Sequence, residues 1–264
     1  MNSRSEGTGA VVLLLHGIPT SGQLWHYVLK VLRQRFRCIT VDLPGMGESP
    51  PFSEGSRDPD RYALALEEFR LESGIDSWHI IGHDAGSTIA VHYAAKFGAH
   101  LGNLVLCSPP LFPDLRLPRV FRLLRIPIIG DCVAPLANLA VWRIGIPSAI
   151  GRHDQTATGI IEAFRQPFRG YRGARRFVQL LRWGNPAAVL ARTAALLPQI
   201  AVPTLILHGI DDGTIPCEMA ARAATLIPKA KIQFLDSGHF LPLSCPDILC
   251  QHLLPFLGEK SASA

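Results

Sequence analysis

Three absences narrow the field before any motif is considered. The six cysteines, Cys38, Cys107, Cys132, Cys217, Cys245 and Cys250, form no CxxC pair and lie mostly among apolar residues. A zinc site or a cysteine nucleophile would need His or Cys neighbours at ligand spacing, and none is present, so the thiols read as reduced and packed. Long unbroken apolar runs are missing too: the longest apolar region, Val120 to Ile150, is interrupted by Arg122, Arg125, Asp131, Arg143 and several prolines, which argues against membrane insertion. Met1 to Gly9 is polar and Val11 to Leu15 is too short for a secretory h-region, so a soluble cytoplasmic protein is expected. Lysine is the third absence. Between Leu111 and Pro198 there is none, while thirteen arginines face only Asp114, Asp131, Asp154 and Glu162, a local net of +9 in a chain whose total is +5. Two readings stay open: a solvated helical surface whose arginine stems cover apolar area, or steering of an anionic substrate or acidic partner. No nucleic-acid motif or aromatic–basic interleaving accompanies the charge, so nucleic acid is not an expected partner.

What is present is apolar and rhythmic. With 48% hydrophobic and only 18% charged residues, the 264-residue chain suits a buried parallel sheet covered by helices on both faces. Apolar runs at Ala10 to Leu15, Phe36 to Val41, Trp78 to Ile81, Leu104 to Cys107, Thr204 to His208 and Ile232 to Leu235 read as strands. Helical stretches alternate with them at Thr20 to Leu32, Pro59 to Ser73, Ser87 to Phe97 and Pro246 to Leu257. The alternation predicts an α/β fold built on a doubly wound, mostly parallel sheet. Between Pro109 and Pro203 the strand rhythm is lost and proline, glycine and arginine accumulate among helical stretches. The expected organisation is a core of residues 1–110 and 199–264 carrying a helical lid at 111–198. No internal repeat or low-complexity tract is apparent.

Gly82, His83, Asp84, Ala85 and Gly86 sit between the third strand and the third helical stretch. In a strand-to-helix elbow of this kind, flanking glycines permit a tight, strained turn that exposes the central side chain above the sheet edge. Serine is usual at the apex; aspartate stands here. A carboxylate of reference pKa about 4 is ionised at neutral pH and needs no base to activate it. Attack on an ester or amide carbonyl would give an anhydride, whose carboxylate leaves more readily than the displaced alcohol or amine. Attack on a saturated carbon gives an ordinary alkyl ester, which water can cleave. Asp84 therefore points to carbon–halogen or epoxide carbon–oxygen cleavage.

Two further groups follow in the order nucleophile, acid, histidine. Asp211 and Asp212 lie after the strand ending at His208, and His239 lies in Ser237-Gly238-His239-Phe240 after the last strand. A histidine there takes a proton from water if an acid orients its other nitrogen. Asp212 is the expected acid and Asp211 a turn residue ahead of Gly213. His16 and His83 read as packing and hydrogen-bonding residues.

These motifs make the chain resemble the α/β-hydrolase superfamily, and within it the aspartate-nucleophile branch of haloalkane dehalogenases and epoxide hydrolases. His16-Gly17-Ile18-Pro19-Thr20-Ser21, with Leu24-Trp25 beyond, looks like the dehalogenase oxyanion loop; Asp42 to Ser49 and the G-x-x-D-x-x-x-P stretch Gly209 to Pro216 are similar to family loops. The resemblance implies a cofactor-independent, metal-free hydrolase in which the backbone N–H groups of Ile18 and Ala85 form the oxyanion hole. It also implies differences. Dehalogenases of this type carry asparagine and tryptophan where Ile18 and Ala85 stand, so a halide would need other donors, such as Trp142, Trp183 or an arginine. Epoxide hydrolases use lid tyrosines as proton donors, and the lid offers one, Tyr171. The N-terminus is short for the family, so the first edge strands are expected to be missing or abbreviated. The expectation is an epoxide-opening hydrolase acting on a small molecule. A haloalkane dehalogenase with an atypical halide site, an esterase or lactonase using Asp84 as a base, and a non-catalytic ligand-binding scaffold are the alternatives; a homodimer is left open.

Overall fold

A polar stretch without a strand signature, Ser3–Glu6, forms β1 and pairs antiparallel with the third strand. The six apolar runs follow as β2 (Val11–Leu15), β3 (Arg37–Val41), β4 (Trp78–His83), β5 (Leu101–Cys107), β6 (Thr204–Gly209) and β7 (Ala230–Leu235). The sheet order is β1-β3-β2-β4-β5-β6-β7, and every pair except β1–β3 is parallel. Consecutive residues of the central strands are fully buried, Val12 to Leu15 in β2 and Leu104 to Cys107 in β5, because helices cover both faces. This computed structural model describes residues 1–53, 58–150, 157–182 and 185–258.

Among the described residues three α-helices precede β5: α1 (His26–Leu32), α2 (Pro59–Glu72) and α3 (Ala85–Phe97). α2 starts where Asp58 accepts a hydrogen bond from the Asp60 N–H and Pro59 fills the first turn. Between β5 and β6 the regular structure among the described residues is helical: α4 (Arg119–Leu124), α5 (Ile129–Ala140), α6 (Ile146–Ile150), α7 (Ala157–Arg165), α8 (Gly170–Leu181) and α9 (Pro186–Leu196). Then come α10 (Cys217–Leu226), α11 (Leu241–Ser244) and α12 (Pro246–Gly258). α1 packs on α12, and α2 on α3.

Within the insertion, α5 and α6 join through a widened π-type turn, Val141–Gly145, into one helical run from Ile129 to Ile150. Asp131, Pro135 and Arg143 interrupt its sequence without breaking its backbone, and by length and composition alone it could cross a membrane. α5 packs on α8, where Arg182 reaches Asp131 at 2.9 Å and the Leu124 carbonyl at 3.2 Å. Polar ties join the insertion to the rest, among them Arg176 Nε donating to the Gly45 carbonyl (3.1 Å), His92 Nε2 meeting Thr193 Oγ1 (2.9 Å), and the His239 N–H donating to the Ala149 carbonyl (3.0 Å). Cys38, Cys107, Cys245 and Cys250 are buried, and Cys132 on α5 is exposed.

Candidate active site

β4 runs into α3 through Asp84, whose backbone sits at φ 50° and ψ −123°. A non-glycine residue held there stores roughly 1–3 kcal/mol of strain, which the surroundings must impose. The glycines on either side make the fit possible: a Cβ on Gly82 would lie 2.6 Å from the Gly86 carbonyl oxygen, and one on Gly86 would lie 2.6 Å from that of Leu15. Because β2 and β4 are neighbours, the loop after β2 reaches the elbow. There the Ile18 N–H donates to Asp84 Oδ2 at 3.0 Å, and the Ala85 N–H bonds the same carboxyl group. Gly17 permits the approach, since a Cβ on it would stand 2.4 Å from Asp84 Oδ2. Burial raises the Asp84 pKa above the ordinary carboxylate value; nearby His239 and the two N–H groups oppose the rise without cancelling it.

The loops after β6 and β7 complete the group. His239 Nδ1 lies 2.8 Å from Asp212 Oδ2, while Asp212 Oδ1 accepts the N–H groups of Thr214 (2.8 Å) and Ile215 (2.9 Å). Burial alone would push the Asp212 pKa up, but His239 and these donors bring it down to about 2, so it is a carboxylate at any working pH. Burial alone would lower the His239 pKa; the Asp212 carboxylate, and then Asp84, outweigh it and hold the pKa above the ordinary imidazole value. With Nδ1 committed to Asp212, Nε2 is the nitrogen left for chemistry. Asp211 is exposed and bonds Ser237 through its backbone only, as the turn reading expected.

Two histidines frame these groups without facing solvent. The Leu43 N–H donates to His16 Nε2 (3.0 Å), which places the proton on Nδ1, facing the Gly17 carbonyl (2.9 Å). Burial drops its pKa to about 4, so it stays neutral. His83 Nε2–H donates to the His239 carbonyl (2.9 Å), as does Ser108 Oγ (3.1 Å), and its ring stacks on Phe240. Burial, then the charge of His239, takes its pKa to about 3. Sequence reasoning missed this double grip on the His239 carbonyl, and Gly17 as the residue that makes room for the carboxylate.

Asp84, Ala85, Ile18 and His239 all line one cavity of about 400 Å³, a size typical of small-molecule sites. Its walls are largely apolar, with Phe121, Val141, Ile144, Ile146 and Leu190 from the insertion, and its other polar side chains are Thr88, Arg125 and Thr214. Two expected donors are not there. Tyr171, the expected lid proton donor, is 62% exposed and is absent from the lining, because α8 turns its apolar face, with Phe177 and Val178, inward. Trp142, offered as a halide donor, is buried against Phe168 and gives its N–H to Asn138 Oδ1 (2.9 Å). Trp183 lies outside the described residues. Among the described residues, one group has metal-ligand spacing, Asp58, Asp60 and His92. Its acids face the Arg192 guanidinium and His92 bonds Asp60 (2.8 Å), which makes it an ion-paired clasp.

A profile of the α/β hydrolase fold family matches residues 10–244. Relatives include a cis-3-alkyl-4-alkyloxetan-2-one decarboxylase of Shewanella oneidensis, 27% identical over 278 residues that cover 98% of this chain and 86% of that protein. Haloalkane dehalogenase 2 of Mycobacterium tuberculosis is 27% identical over 268 residues, covering 96% of this chain and 90% of the relative. Among solved structures, the haloalkane dehalogenase DbeA of Bradyrhizobium elkani has a TM-score of 0.84 at 24% identity, covering 99% of this chain and 95% of the other.

Proposed function

The chain belongs to the α/β hydrolase fold family, and we propose that it is a hydrolase that opens a strained carbon–oxygen ring through an alkyl ester on Asp84. The observation that carries this reading is the Ile18 N–H resting on Asp84 Oδ2 at 3.0 Å. In a serine hydrolase the oxyanion hole serves the substrate's carbonyl oxygen; here the nucleophile's own oxygen occupies it. That arrangement suits a reaction in which the tetrahedral charge develops on the aspartate itself.

In the proposed sequence Asp84 Oδ1 attacks a saturated ring carbon and the ring oxygen leaves with the bonding electrons. Water, losing its proton to His239 Nε2, then attacks Asp84 Cγ, and the charge on Oδ2 falls between the Ile18 and Ala85 N–H groups. The carbonyl–oxygen bond to the product breaks, the imidazolium returns its proton to the departing oxygen, and Asp84 keeps one oxygen from water. Asp212 holds the imidazole tautomer and stabilises its charged form. The insertion acts as a cap that keeps bulk water from the ester.

The cavity also bears on the leaving group. An epoxide oxygen departs as an alkoxide and needs a proton donor, and with Tyr171 on the surface no tyrosine among the described residues supplies it. The ring oxygen of a four-membered lactone departs as a carboxylate and needs none. The decarboxylase name of the Shewanella oneidensis relative, whose substrate is such a ring, favours this choice. We therefore place four-membered lactones ahead of epoxides. Haloalkane cleavage is the second reading, favoured by the dehalogenase names of the relatives and opposed by the apolar side chains of Ile18 and Ala85. Single-turnover reaction in heavy-oxygen water tests the scheme: the label is expected in Asp84, and an unlabelled Asp84 after turnover rejects it. His239→Gln is expected to accumulate the covalent ester, seen as a substrate-mass adduct on the intact protein.

A further inference from the structure

Beside the apolar cavity lies a second one of about 370 Å³, and its charge is of one sign. Arg116, Arg122 and Arg125 line it, with no acid among the described lining residues. Leu115, Leu117, Arg125, Pro186 and Leu190 line both cavities, so the two meet along a common wall on the insertion. Asp114, the acid beside this cluster in sequence, is occupied by Arg222, with two contacts of 3.0 Å. Among the described residues neither Arg116 nor Arg122 has a carboxylate partner. Arg125, the third arginine of the lining, is half-buried and already donates to the Leu181 carbonyl, which leaves Arg116 and Arg122 as the two groups that face the cavity without a carboxylate. Two exposed guanidinium groups without a carboxylate partner, at the edge of an apolar cavity, hold a positive potential there that attracts an anion.

We propose that this arginine-lined cavity is a subsite for the carboxylate of an amphiphilic substrate whose alkyl part fills the neighbouring cavity. Guanidinium groups bind carboxylates through paired, charge-assisted hydrogen bonds, which fits arginine rather than lysine at positions 116 and 122. Asp84 at the reacting end repels a carboxylate while the arginines attract it, so the molecule enters in one orientation, the ring carried on its alkyl part towards Asp84 and the carboxylate outward. The identity of the reacting end rests on the hydrolase reading of Asp84; carboxylate binding does not.

The test is calorimetric binding of decanoate and of decanol to the intact protein, two unreactive ligands that differ in the charged end. Decanoate is expected to bind about tenfold tighter at low salt. In Arg116→Gln/Arg122→Gln, verified as folded by circular dichroism, decanoate affinity is expected to fall to that of decanol while decanol affinity is unchanged. Equal affinities in the wild type, or a preference that persists in the double variant, overturns the proposal. If the double variant fails to fold, wild-type protein decides: a preference that survives in about 1 M salt, where the Debye length is about 3 Å, overturns it, and one that disappears supports it. A decanoate preference with no label in Asp84 would sink the hydrolase reading and leave this subsite standing; label in Asp84 with no preference would do the reverse.

Discussion

Asp84 works only because residue 17 has no side chain. Gly17→Ala would put a methyl group 2.4 Å from Oδ2 and 2.5 Å from Asp84 Cβ, so the carboxyl group must shift while the surrounding strands remain. A displacement of about 1 Å costs roughly 100-fold in rate; kcat is expected to fall by at least that much with an unchanged far-ultraviolet spectrum. The pH dependence follows from His239. The imidazole accepts a proton only when neutral, and its pKa stands above the ordinary 6.5, so the rate of ester hydrolysis should rise with pH through a limb lying above 6.5. Asp212, at about 2, adds no limb in that range. In Asp212→Asn the carboxylate that outweighs burial is gone, so the limb should move to lower pH as the maximal rate drops about 10⁴-fold. Pre-steady-state kinetics over pH 5–9 would read both changes, and a limb that stays in place would show that Asp212 does not set the His239 pKa.

At the scale of elements, stability concentrates where α2 meets α3. Arg70 is 4% exposed; it donates to Glu67 at 2.7 Å and to the carbonyls of Ile75 and Asp76, while Glu67 accepts the Tyr93 hydroxyl at 2.7 Å. Removing one partner of a buried pair strands the other, so Arg70→Met should cost about 3–5 kcal/mol in urea unfolding; a cost under about 1 kcal/mol would mean that water replaces the guanidinium. The central strands were legible because runs such as Val11 to Leu15 are apolar at every position, the mark of burial on both faces. β1 was not, because Ser3–Glu6 lies at the sheet edge with three of its four residues exposed and no apolar pattern to display. The continuity of Ile129 to Ile150 was hidden for another reason: Pro135 lies inside the helix, where a proline reads as a break, and the π-type turn shifts the apolar period beyond it.

Across the whole molecule, the core and the insertion differ in how far their positions could be read. Asp84, Asp212 and His239 stand at the ends of β4, β6 and β7, so strand order alone brings them to one edge. Tyr171 and Trp142 sit on helices of the insertion, where the facing of a side chain depends on packing between helices that no local period records. The same contrast predicts dynamics. Amides of β2, β4 and β5 lie in almost wholly buried strands and should exchange hydrogen only on global unfolding, whereas α4, α5 and the connection between them, with Ile126, Ile128, Ile129 and Leu136 exposed, should exchange faster. Exchange mass spectrometry reads both, and equal protection would mean that the insertion unfolds only with the sheet. Cys132 offers a second view of the same motion. Burial pushes the thiols of Cys38 and Cys250 up to about 12 and shields them with Cys107 and Cys245, while Cys132 projects outward from α5. With the half-buried Cys217 replaced by serine, an environment-sensitive maleimide dye attached to Cys132 would report, by its emission in real time, when a ligand enters beneath the helix that carries it.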